Sequence, residues 1–94
     1  MPRYEVAEDL AGDIKDLSRA RQSLIEEIEA IMFYDERAGA TGDKDLKSVM
    51  EHNRDDEKEH AALLLEWLRR HDKKLDKELN EILFSKKEMN ELGD

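Results

Sequence analysis

Two long apolar stripes, joined by a link of only a few residues, leave this chain little choice of fold. Leu10, Ile14, Leu17, Leu24, Ile28 and Ile31 recur at steps of three, four and seven, the spacing that lines one face of an α-helix. They predict a first helix over about residues 8–38, with Arg21 interrupting the stripe. Leu46, Met50, Leu64 and Trp67 predict a second helix over about residues 43–71. Between them, Gly39-Ala-Thr-Gly42 offers glycine for a helix C-terminus, and Thr41 and Asp43 offer oxygens for the free amides of the next helix. So short a link forces the helices antiparallel. Arg69, Arg70 and His71 complement the end of the second helix. Asp72 can then cap a third over about residues 73–85, with Leu75, Leu79, Ile82 and Leu83 as its stripe; no Gly or Pro enforces the break, so one continuous helix is the alternative. Residues 86–94 are polar and are expected to fray, and residues 1–94 read as one domain.

The composition agrees with an all-α class. Charged residues make up 44% of the chain against 38% hydrophobic, with 4 Gly and 1 Pro. Cysteine is absent, which excludes a disulfide framework and a thiolate metal site and fits a reducing compartment. Neither a secretory leader nor an apolar run of membrane-spanning length is legible, so a soluble, cytoplasmic protein is expected. A formal charge of -9 argues against nucleic acid and favours cations as partners. Ile25, Met32, Phe33, Leu63 and Leu68 widen the apolar surface beyond what one seam needs. A homodimer is therefore expected, with two hairpins forming a four-helix bundle.

The chemistry lies in two ionisable residues placed where the second helix should be apolar. At about 100° per residue, Glu57 lies about 20° and His60 about 40° from Leu46, inside the stripe. A carboxylate facing a core is costly unless it is paired, hydrogen-bonded or bound to a metal. Folding the chain about its link sets opposite one another residues whose numbers add to about 82–84, which brings Glu27 to the level of Glu57. Tyr34 lies on the same side of the first helix as Glu27. Glu57-Lys58-Glu59-His60 is a Glu-x-x-His motif, whose spacing puts carboxylate and imidazole on one helix face within reach of one metal. Di-iron four-helix bundles use a Glu from each of two helices and a Glu-x-x-His from each of the other two. This chain encodes half of that set, and a symmetric dimer would supply the rest. Ligands of oxygen and nitrogen without sulfur suit iron or manganese and also accept zinc.

The segments Ile28-Glu29-Ala30-Ile31-Met32-Phe33-Tyr34-Asp35 and His52-Asn53-Arg54-Asp55-Asp56-Glu57-Lys58-Glu59-His60-Ala61-Ala62, followed by Leu65-Glu66-Trp67-Leu68-Arg69-Arg70, resemble the encapsulated ferritins. These are two-helix, ferritin-like cargo proteins of encapsulin nanocompartments. The resemblance covers roughly residues 20–85. It implies a hairpin subunit, a ferroxidase centre formed only between two chains, dimers assembled into a ring-shaped decamer, and an encapsulin shell protein as partner. By position it implies Glu27, Glu57 and His60 as iron ligands and Tyr34 as a neighbour that orients or tunes the site. It also implies a metal-admission role for Glu26 and Glu29, although both project away from the seam and read as solvated by spacing alone. Phe33 stands where relatives often carry Trp. The chain stops soon after the third helix, short of the extended tail and docking peptide of such cargo; either the sequence is shortened or targeting differs.

The expected activity is therefore oxidation of iron(II) to iron(III) by dioxygen at a di-iron centre between subunits, for iron storage inside a nanocompartment. The competing reading is a non-catalytic helical adaptor in which Glu57 and His60 pair with Arg or Lys of a neighbouring chain. A zinc hydrolase is disfavoured, because His-Glu-x-x-His is absent.

Overall fold

The structure, a computed structural model, describes residues 12–94. The described residues are helical throughout their regular structure: α1 spans Gly12–Ala40, α2 spans Lys44–His71 and α3 spans Lys73–Ile82. The expected start of the first helix near Glu8, and Leu10 of its stripe, lie outside the described residues. Helices α1 and α2 pack along their lengths as the antiparallel hairpin that the short link demands.

Side chains make the link. α1 continues through Gly39, and Thr41 still donates its amide to Arg37 O at 3.1 Å. The amide of Asp43 donates to Thr41 Oγ1 at 3.1 Å, and Asp43 Oδ1 accepts from Leu46 N at 2.8 Å as the N-cap of α2. The helix-ending glycine conformation expected at Gly39-Gly42 is not used, since neither residue takes a positive φ.

A second break falls at Asp72, whose extended backbone (φ -141°, ψ 100°) separates α2 from α3. No Gly or Pro enforces it; the Asp72 side chain does. Its Oδ1 accepts from Leu75 N at 3.1 Å, capping α3. Its Oδ2 accepts from Arg21 Nη2 of α1 at 3.2 Å, which gives the residue that interrupts the first stripe a structural task. Arg69 spans the same bend, bonded to Glu66 on α2 and to Asp76 on α3. Helix α3 packs chiefly on α2. The resulting shape is flat, 47 × 42 × 19 Å.

α3 ends at Ile82, short of the expected Ser85. Leu83 caps it in an extended conformation, and Phe84 turns the chain with φ 59°, fully exposed. Beyond it, Met89–Glu91 form a short 3-10 turn in which Glu88 N donates to Glu91 Oε1 at 3.3 Å.

One hairpin buries little of its own apolar surface. Ala20, Ala38 and Leu68 are the buried hydrophobic residues among those described, while Ile28, Met32, Phe33, Val49 and Leu63 stand about half exposed or more. Covering such side chains is worth about 1.5–3 kcal/mol for each large one buried.

Candidate metal centre

Helix α1 contributes one donor and α2 two. The i, i+3 spacing of Glu57 and His60 places imidazole Nδ1 3.3 Å from Glu57 Oε2. Across the hairpin, the same Nδ1 lies 3.5 Å from Glu27 Oε2. One ligand atom from each of the three residues lies within 4.8 Å of the others. The sequence thus placed the three at one height, and the fold brings them together.

Their surroundings differ from those of an ordinary surface ion pair. The side chains of Glu27 and Glu57 are 25% and 21% exposed, and that of His60 is 50% exposed. Glu27 Oε2 is buried and makes no hydrogen bond. No Lys or Arg pairs with Glu27 or Glu57 among the described residues. Two carboxylates therefore face one imidazole with a lone-pair-bearing oxygen left over, an arrangement that a cation would satisfy.

The donor chemistry fits such a cation. First-row divalent ions bind carboxylate oxygen and imidazole nitrogen at about 2.1 Å, so adjacent donors on one ion sit about 3 Å apart and opposite donors about 4.2 Å apart. The observed separations of 3.3 and 3.5 Å approach the first of these. Three donors fill only part of the coordination shell of iron or manganese. The remainder must come from solvent, substrate or another chain, and the exposed side of His60 leaves room for it.

The other residues singled out from sequence stand apart from the cluster. Tyr34 lies two turns along α1 from Glu27, about 10.5 Å of helical rise, and its ring carries the Arg37 guanidinium 6.0 Å from its centroid. Arg37 lies equally over Phe33, at 5.9 Å. Glu26 is exposed and accepts from Gln22 Nε2 at 3.1 Å, and Glu29 is exposed; neither joins the three donors within the chain. Sequence reasoning passed over Arg54, which points off the α2 stripe yet crosses to Asp35 of α1 at 3.0 Å. The available signal was its place one turn before Glu57.

Fold and cluster define a class: a helical hairpin carrying a partial set of carboxylate and imidazole donors. The sequence profile of the EncFtn-like family matches residues 2–86. A ferritin-like protein of Thermotoga maritima is 45% identical over 89 residues, covering 95% of this chain and 78% of the relative. An encapsulated ferritin-like protein of Rhodospirillum rubrum is 45% identical over 82 residues, 87% of this chain but 59% of its own length. An encapsulin nanocompartment cargo protein of Myxococcus xanthus is 40% identical over 72 residues, 77% of this chain and 51% of the relative. The crystal structure of a Nitrosomonas europaea protein superposes with a TM-score of 0.89 at 47% identity, covering 95% of this chain and 98% of that one. The chain belongs to the EncFtn-like family.

Proposed function

We propose that this chain is a ferroxidase subunit, in which two hairpins pair so that Glu27, Glu57 and His60 of both hold two iron(II) ions as substrate. The buried oxygen of Glu27, lacking any hydrogen bond beside a second carboxylate, is the observation that carries this reading. Each iron(II) gives up one electron, and two ions side by side supply one dioxygen with two, which a single ion cannot. Carboxylates lower the net charge of the centre and favour the more highly charged, oxidised iron. Glu27 and Glu57 would bind and position the ions, His60 would complete each set with nitrogen, and the half-exposed side of His60 would face the second hairpin. Tyr34 would tune the site from the second chain or through the pairing, since it lies apart from the donors of its own chain.

A hairpin encloses no volume in which iron(III) mineral could collect. Storage therefore requires a container, and the names of the Rhodospirillum rubrum and Myxococcus xanthus relatives support an encapsulin shell in that role. The reading places this chain in the cytoplasm within such a nanocompartment, as dimers joined in a decameric ring, with Glu26 and Glu29 admitting metal from outside. No helix among the described residues is long and apolar enough to cross a membrane.

The deciding experiment adds iron(II) anaerobically and then admits oxygen. Oxidation much faster than in buffer, and lost in Glu27→Ala, Glu57→Ala and His60→Ala, supports the reading. Oxidation at the buffer rate removes it and favours the adaptor alternative.

A further inference from the structure

An ion pair crosses the hairpin from the turn of α2 that precedes Glu57. Arg54 precedes Glu57 by three residues on α2 and reaches across the hairpin, its Nη1 donating to Asp35 Oδ1 at 3.0 Å. Its Nε donates to Asp55 Oδ1 on its own helix, also at 3.0 Å. The Arg54 side chain is largely covered, while Asp35 is about half exposed. We propose that Arg54 is a positioning residue of the metal centre, holding α2 in axial register on α1 so that Glu57 and His60 meet Glu27. This rests on the metal reading above.

The seam itself is a poor ruler. Apolar contact is non-directional, and neighbouring Leu, Ile and Met side chains exchange places along a stripe at little cost. The donor cluster tolerates far less. Sliding one helix by one residue moves its side chains by about 1.5 Å and turns them by about 100°. A shift of even part of that would separate Glu27 Oε2 from His60 Nδ1, which are 3.5 Å apart. A guanidinium is directional: its planar fork fixes both distance and angle to the oxygens it meets. Held by Asp55 on one side, the Arg54 fork has a set direction on α2; bonded to Asp35 on the other, it reads the position of α1. Two carboxylates around one guanidinium also offset its positive charge, so the clamp does not repel a cation nearby.

Cobalt(II) titration of this chain, followed by visible absorption, tests this with Arg54→Ala, Asp35→Asn and the double variant. Neither residue is a proposed ligand, and Asp35 is exposed enough for the Asn variant to fold. Each single variant should weaken cobalt(II) binding about fivefold and alter its absorption band, with far-UV circular dichroism unchanged. The double variant should bind no more weakly than Arg54→Ala alone, because both changes remove one contact. Wild-type affinity and band shape in both single variants, or losses that multiply in the double, would overturn the clamp. A wild-type chain that takes up no cobalt(II) defeats the metal reading itself, a result that differs visibly from a wild type that binds and variants that bind equally well.

Discussion

Glu27 and His60 stand far apart in the sequence and 3.5 Å apart across the hairpin, and the oxygen that makes the approach is buried without a hydrogen bond. Leaving a desolvated acceptor without a hydrogen bond is a cost that an amide or an apolar group would avoid. The arrangement makes sense for the loaded state rather than the empty one.

That cost should be measurable in the metal-free chain. Glu27→Gln removes one of two facing charges and supplies a donor, and should raise stability by on the order of 0.5–1 kcal/mol, a few degrees in melting temperature. Iron oxidation should fall by at least the ~10–100-fold typical of disturbing even the surroundings of a metal ligand. Thermal melts in chelator and stopped-flow oxidation test the two halves together. A variant that is less stable yet fully active would show that Glu27 has only a structural role.

Leu63 separates association from folding. It is 65% exposed in one hairpin, so Leu63→Glu should leave helicity and the three-donor cluster intact. If that flank is covered by a second copy, the substitution forfeits about 1.5–3 kcal/mol of apolar burial and adds a desolvated charge, weakening association at least tenfold. Analytical ultracentrifugation should show smaller species, and iron oxidation should fall with them. Unchanged mass would place the interface elsewhere.

Much of this architecture is written in local pattern. The two stripes and the brief link specify the hairpin, and the Glu-x-x-His on an apolar face marks the site, because each signal is contained within one helix or one turn. Features that depend on a distant partner are not legible in that way. Arg21 is visible in sequence as an intruder in its stripe, but its bond to Asp72 depends on the completed hairpin and the bend after it. Arg54 reads as an exposed helix residue until Asp35 is brought opposite. The end of α3 is not legible either, because Leu83 keeps the apolar period while the backbone has already left the helix, and Phe84 gives no compositional sign of its positive φ.

The bend between α2 and α3 should respond to acid. Arg69 and Arg70, bonded to Glu66, hold its carboxyl down at about 2, against 4.5 ordinarily. Asp72 is lowered too, by the Leu75 amide it caps and by Arg21. A folded-state pKa below the unfolded one means that the stabilisation is fully present above about 4.5 and is lost as pH falls toward about 2. Melting temperatures of wild type and Glu66→Gln should therefore differ most at neutral pH and converge over that interval. A difference that stays constant down to pH 2 would mean that the network contributes nothing to stability.

The hairpin link gives a test of local structure alone. Asp43 Oδ1 caps α2 at Leu46 N, and Asp43→Ala should cost about 1 kcal/mol, with Asp43→Ser recovering most of it. Chemical denaturation midpoints measure both. Since the cap lies well along α2 from Glu57, cobalt(II) affinity of the folded variant should not change.

Metal should also decide how far the chain assembles. Without a cation, pairing two hairpins through their acidic faces brings four carboxylates, Glu27 and Glu57 from each, toward one axis, and their repulsion opposes the gain from the apolar flank. A cation that binds the paired form and not the single hairpin shifts the equilibrium by linkage, about 2.7 kcal/mol per site at a free concentration 100 times its dissociation constant, or about 100-fold in the association constant. Two ions would give about 10,000-fold. Sizing experiments at fixed protein concentration, anaerobic and with or without iron(II), should show growth of the larger species, reversed by chelator and absent in Glu57→Ala. The same distribution in all four conditions would mean that the apolar flank alone governs assembly and that the donors do not meet across it.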